Sequence, residues 1–216
     1  MEVTRILAIR HGETAWNLDT RIQGHLDIPL NDTGRWQARR MAEALSGEPI
    51  QAVYSSDLQR AYETASILSE LHPQLASQQP APVPQLRERS FGDLEGQTWS
   101  EIETLRPRDS ELWRKRVPDW APKGGESLLQ LRARIANAVS DLAARHLGEQ
   151  IVLVAHGGVL DALYRLATGL DISAPRSWSL TNTAINRLLW SPESLTLVNW
   201  GDTRHLEKDS LDESTA

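Results

Sequence analysis

The stretch Ile151-Val152-Leu153-Val154-Ala155-His156-Gly157-Gly158 decides the fold. Five apolar residues follow one another without alternation and stop at His-Gly. A strand covered on both faces reads this way, because neither face has to be polar, and parallel sheets with helices on both sides are built from such strands. The same pattern opens the chain in Arg5-Ile6-Leu7-Ala8-Ile9, which ends at Arg10-His11-Gly12. A third run, Gln51-Ala52-Val53-Tyr54, ends at Ser55-Ser56-Asp57.

Helical patterns lie between these runs. Asn31-Asp32-Thr33 offers cap residues ahead of Trp36, Met41, Ala44 and Leu45. Ser56 or Asp57 is expected to cap a helix reaching about Leu71. Ser127 opens the longest helix, with Leu128, Leu131, Ile135, Val139 and Leu142 at helical spacing and a stop near Gly148. Val159 to Thr168 forms another, ending at Gly169, and Thr183–Ser191 with Leu195–Trp200 reads as a late hairpin. Strand and helix in alternation predict an α/β fold: a three-layer α/β/α sandwich with a mostly parallel central sheet. The proline-bearing stretch from Pro80 to Gly125 reads as a small inserted lobe over the carboxyl edge of that sheet. Residues 1–206 are expected to form a single domain, and 207–216 a disordered acidic tail.

Composition removes several classes of function. The 216 residues include no cysteine, which excludes thiol catalysis and cysteine metal sites and fits a reducing compartment. No apolar run approaches the ~20 residues that span a bilayer, and the first residues lack the layout of a secretion signal. A cytoplasmic protein without membrane contact is expected. The net charge is −6 and no basic run occurs, which argues against nucleic acid as a partner. Any anion site must therefore be a local pocket of Arg and His.

Ligands of open α/β sheets bind beyond the carboxyl ends of the strands. Two of the apolar runs end there in His-Gly, at His11 and His156, and the helix after the third carries Arg60 near its start. Parallel neighbouring strands would bring Arg10, His11, Arg60 and His156 together beside helix N-termini, which favour anions. A phosphoryl group suits such a pocket, because guanidinium forks match phosphate oxygens. A histidine can attack phosphorus and form a covalent intermediate. The leaving oxygen then needs a proton donor and the incoming water a base, roles that one carboxyl group can take in turn. Glu13, Glu88 and Glu126 are candidates, and spacing does not choose among them. Gly-x-Ser-x-Gly, Walker and His-Glu-x-x-His patterns are absent.

The order of motifs resembles the histidine phosphatase superfamily, in its phosphoglycerate-mutase-like, Arg-His-Gly branch. The likeness runs through Leu7–Asn17, Arg21–Leu30, Tyr54–Ala61, Leu86–Gly92, Gly124–Ser127 and Val154–Gly158, and spans about Arg5 to Leu206. It implies that His11 is the nucleophile, that Arg10, Arg60 and His156 form the phosphate pocket, and that Glu88 gives and takes the proton. Asn17, Gln23 and Gly24 are implied as supporting contacts, and Gly157 as a backbone donor. The resemblance implies no metal and no cofactor, and a small phosphorylated metabolite as the partner. A homodimer is the default expectation for such an enzyme.

Relatives that act as mutases carry a longer insertion before Gly-Glu-Ser and a Tyr where Phe91 stands, which favours hydrolysis here. Trp113-Arg114-Lys115 resembles the mutases' Trp-Arg-Arg, which makes Arg114 and Lys115 candidate substrate contacts and keeps phosphoglycerate mutase as the alternative. A catalytically idle relative that binds phosphorylated ligands or a protein is the second alternative. His25, His72, His146 and His205 are assigned to surface or packing.

Overall fold

The computed structural model describes residues 2–207, so the residues after Glu207 in the expected tail lie outside the described residues. Six strands form one sheet: β1 Thr4–Arg10, β2 Ala52–Ser55, β3 Ala81–Pro82, β4 Gln150–Ala155, β5 Ile185–Ser191 and β6 Ser194–Asp202, in the order β3-β2-β4-β1-β5-β6. The four strands from β3 to β1 pair parallel, and β5 and β6 add an antiparallel edge. The helices are α1 Ala15–Leu18, α2 Asp32–Leu45, α3 Gln59–Leu71, α4 Trp99–Leu105, α5 Pro107–Arg114, α6 Leu128–Ala143 and α7 Gly157–Thr168.

The unalternating strands have the cause the sequence suggests. Ile6 and Ala8 of β1, with Ile151, Leu153 and Ala155 of β4, pack against Leu131, Ile135 and Val139 of α6 and Leu160 and Leu163 of α7. The alternate residues Leu7, Ile9, Val152 and Val154 face Met41 and Leu45 of α2 and Ala65 and Leu68 of α3. Side chains alternate across a strand, so two buried faces require apolar residues at every position. Three layers result. Burial of one such Leu or Ile contributes roughly 1.5–3 kcal/mol.

Three local expectations are corrected. Helix α3 begins after Leu58, and neither Ser56 nor Asp57 is its cap. Asp57 is held instead by both arms of Arg87, at 2.7 and 2.6 Å, while Asp27 accepts from the Gln59 N–H at 2.7 Å. A carboxylate 32 residues upstream thus supplies the cap. Helix α6 ends at Ala143, short of Gly148, because the chain turns there to enter β4. His146 anchors that turn between the Tyr54 hydroxyl at 2.7 Å and the Glu149 carboxylate at 2.6 Å. The Pro80–Gly125 stretch is not wholly a lobe, since Ala81–Pro82 joins the sheet beside β2.

Leu86 packs in the core beside α6, while Arg89, Phe91, Trp99, Trp113 and Arg116 of that stretch face Arg10 and His11 at the carboxyl end of β1. Leu94, Ile102, Phe91, Trp99 and Trp120 bury Ile22 in a small satellite core. No helix among the described residues is long and apolar enough to cross a membrane.

Candidate active site

Strand register delivers the site. The His11 N–H donates to Ala155 O at 3.0 Å, the last rung between β1 and β4, and the Ser56 N–H donates to Val154 O at 3.0 Å. Three adjacent parallel strands therefore end at one level. His11 and His156 leave the sheet side by side, with ring centroids 5.2 Å apart and planes inclined by 56°. Both are buried, at 3% and 0% exposure.

The His11 ring is fixed by its Nδ1, which lies 2.7 Å from Gly12 O. A carbonyl only accepts, so Nδ1 carries the hydrogen and Nε2 keeps its lone pair. Neither ring nitrogen of His156 has a hydrogen-bond partner among the described residues. Burial holds both imidazoles well below their ordinary value of 6.5, and the Arg60 and Arg10 guanidiniums push the same way. Both rings are thus neutral at neutral pH, which leaves the His11 lone pair available.

Arg10 closes β1 and donates from Nη1 to Leu180 O at 2.6 Å. Arg60, in the first turn of α3, donates from Nη1 to Leu26 O at 2.9 Å and from Nη2 to Gly24 O at 2.8 Å. The Nε of each is buried and unpartnered, and neither guanidinium forms an ion pair among the described residues. Burial lowers Arg60 to about 10 and also lowers Arg10, with Glu88 opposing in both cases. Buried cations without a directly paired carboxylate are costly, and a bound anion relieves that cost.

Glu88 faces them. Its Oε1 accepts from the Arg89 N–H at 2.7 Å, and its two oxygens accept from the Gly158 N–H, in the first turn of α7, at 3.0 and 3.1 Å. A Cβ on Gly157 would lie 3.8 Å from both Arg10 Nε and Glu88 Oε2, so the start of α7 stands between guanidinium and carboxylate. A Cβ on Gly158 would collide with Glu88 Oε1. Of the other two carboxylate candidates, Glu13 accepts from Asn31 at 2.8 Å and Glu126 is gripped by Arg134; neither lines the cleft.

Arg10, His11, Arg60 and Glu88 line a cleft of about 620 Å³, whereas His156 packs against His11 and is not one of the lining residues. Asn17, Gln23 and Gly24 line it. Asn17 Oδ1 also accepts from the Thr14 N–H at 3.0 Å, and Gln23 Oε1 is buried and unpartnered among the described residues. Gly24 has φ +51°, and a Cβ there would strike Glu95. One wall is aromatic: the Arg89 guanidinium lies 5.4, 5.2 and 5.8 Å from the rings of Phe91, Trp113 and Trp120.

Arg114 and Lys115 stand elsewhere than expected. Trp113 turns inward onto Phe91 and Trp99, at 4.7 and 4.4 Å between centroids. Successive helical residues rotate by ~100°, so the next two side chains turn outward. Arg114 pairs with Glu103 and Lys115 with Glu111, with side chains 65% and 66% exposed, and neither lines the cleft. Arg116, the next residue along, does line it, and sequence reasoning missed three further cations there, Arg21, Arg89 and Arg176, together with Asp161. Asp161 had a signal, since it follows Gly157 by four helical residues and shares its face. Arg116 lies beyond α5 at φ +49° and binds Asp161 at 2.7 Å. His25 is more than packing, because its Nε2 meets Glu88 O at 2.8 Å.

A parallel sheet that ends in two adjacent buried histidines, with two arginines lining the cleft beside them, defines a class, and the family comparison agrees with it. Residues 6–203 match the model of the histidine phosphatase superfamily, branch 1, and the chain belongs to that family. It is 41% identical over 211 residues to phosphoglycerate mutase-like protein 4 of Arabidopsis thaliana, covering 96% of this chain and 89% of the relative. It is 38% identical over 210 residues to a metal-independent phosphoserine phosphatase of the same plant, covering 95% and 84%. Among solved structures, mycobacterial glucosyl-3-phosphoglycerate phosphatase superposes with a TM-score of 0.81 at 33% identity, covering 93% of this chain and all of that one.

Proposed function

We propose that this protein hydrolyses small phosphomonoester metabolites without a metal, through a phosphohistidine at His11. The observation that carries the reading is the bond from His11 Nδ1–H to Gly12 O, which leaves Nε2 as a buried, neutral nucleophile among Arg10, Arg60 and His156. In the first step a bond forms from Nε2 to phosphorus and the ester P–O bond breaks. The leaving oxygen takes a proton from Glu88, which enters this step as the carboxylic acid and leaves it as the carboxylate. In the second step water gives a proton to Glu88 and its oxygen bonds to phosphorus; the P–N bond then breaks and phosphate leaves. Positive charge from two guanidiniums and the start of α7 offsets the charge on the equatorial oxygens.

Hydrolysis is favoured over mutase action by the outward turn of Arg114 and Lys115, which keeps from the cleft the two basic residues that the mutase resemblance implied. One observation suits both readings. Arg116 and Arg176 line the cleft and suit a substrate with a second anionic group, such as the carboxylate of phosphoserine or 3-phosphoglycerate. Incubation with 3-phosphoglycerate in EDTA separates the readings. Release of free phosphate supports hydrolysis, and appearance of 2-phosphoglycerate supports the mutase. Binding without either product across a panel of phosphorylated metabolites would leave an idle relative.

A further inference from the structure

Glu126 precedes the first residue pair of α6, and Arg134 lies two turns along that helix. The two meet fork to fork, Nε to Oε1 at 2.8 Å and Nη2 to Oε2 at 2.7 Å. The remaining N–H groups of Arg134 reach the chain that carries Glu88. Nη1 donates to Gln85 O at 2.6 Å and Arg87 O at 2.9 Å, and Nη2 donates to Glu88 O at 3.3 Å. A guanidinium has five N–H donors, and all five are used. Arg134 and Glu126 are largely shielded, at 23% and 16% side-chain exposure, and neither lines the cleft. From the other side, His25 Nε2 holds the same Glu88 carbonyl at 2.8 Å.

Pro84–Leu86 is a short 3-10 turn, and Glu88 follows it in extended loop with its carboxylate reaching the first turn of α7. A loop carboxyl needs an external frame if it is to meet a leaving oxygen, because misplacement by ~1 Å can cost ~10²-fold in rate. We infer that the Arg134–Glu126 pair is that frame: Arg134 is a positioning residue that sets Glu88 for proton transfer, and Glu126 holds Arg134 in register. The inference rests on the proton-shuttle reading of Glu88. Lysine cannot replace this arginine, since one ammonium with three donors cannot grip a carboxylate and three carbonyls together.

The test compares kcat/KM for an alkyl phosphate, whose leaving oxygen needs a proton, with that for 2,4-dinitrophenyl phosphate, whose leaving group does not. This ratio reports the steps up to phosphoenzyme formation. Glu88→Gln sets the reference and should slow the alkyl ester by ~10²-fold or more, while the dinitrophenyl ester changes little. Arg134→Lys should slow the alkyl ester by ~10-fold and spare the dinitrophenyl ester, and should add little in the Glu88→Gln background. If Arg134→Lys lowers thermal stability too far, Glu126→Gln carries the same comparison, since it keeps the guanidinium and its three carbonyl contacts. Equal loss on both esters, while Glu88→Gln still discriminates, would overturn the inference. If Glu88→Gln does not discriminate, the proton-shuttle reading is what fails, and the frame then has nothing to position.

Discussion

His11 and His156 face one another across 5.2 Å, both buried and both flanked by Arg60 and Arg10. Such a pair resists protonation until an anion enters. The sign follows from linkage: below pH 6.5 the unfolded chain takes up protons that the native rings refuse, so stability falls as pH drops. Each pH unit in that window removes about 1.4 kcal/mol per histidine until the native rings titrate. Urea titrations from pH 7 to pH 5 should show this loss, and bound phosphate should lessen it. Imidazole resonances of residues 11 and 156 that titrate near 6.5 in the free protein would contradict the electrostatics.

Arg60 carries two tasks. It lines the cleft, where the proposed phosphate would sit, and it ties the Gly24–Leu26 turn to α3 through two carbonyls. Arg60→Ala should lower kcat/KM for an aryl phosphate by ~10²–10³-fold, as loss of a donor to developing charge does elsewhere. Arg10→Ala should do the same. Steady-state kinetics on the purified variants decide it, and changes below tenfold would remove these residues from the phosphate pocket.

Gly158 lies inside helix α7, where alanine would ordinarily add roughly 0.5–1 kcal/mol of helix stability. A Cβ there meets Glu88 Oε1, so the carboxylate must move. Gly158→Ala should therefore cut alkyl-phosphate hydrolysis by ~10²-fold with little change in melting temperature. Thermal melts run beside the kinetics test the split.

The cleft cations predict a contrast between neighbours in sequence. Arg114→Ala and Lys115→Ala remove exposed, solvent-screened ion pairs and should leave kcat/KM within about twofold. Arg116→Ala takes a cation from the cleft wall and should raise KM by ~10-fold for a carboxylate-bearing phosphomonoester, with kcat less affected. An aryl phosphate without a carboxylate serves as the control.

Much of this was legible in the sequence because double-sided burial writes itself as an unbroken apolar run. Ile6–Ile9 and Ile151–Ala155 declare the two central strands, and the His-Gly that ends each one marks the ligand edge. Ala81–Pro82 carries no such signal, since a two-residue edge strand is held by backbone bonds to Tyr54 and Ser55 rather than by pattern. The cap of α3 was illegible for a related reason: Asp27 arrives from a distant loop. The choice among Glu13, Glu88 and Glu126 also needed three dimensions. Two of these carboxylates are occupied by Asn31 and Arg134, and that occupation is tertiary. Arg114 and Lys115 misled because adjacency in a motif ignores the turn per residue of a helix.

The central claim is a covalent bond at His11, and trapping it is the most direct measurement. The protein is mixed with an aryl phosphate, quenched in alkali where phosphohistidine survives, and digested for mass spectrometry, with His11→Ala in parallel. Phosphate on Nε2 of His11, formed faster than turnover and absent from the variant, is the predicted result. Turnover by His11→Ala at the native rate, or phosphate found only on another residue, would contradict the account.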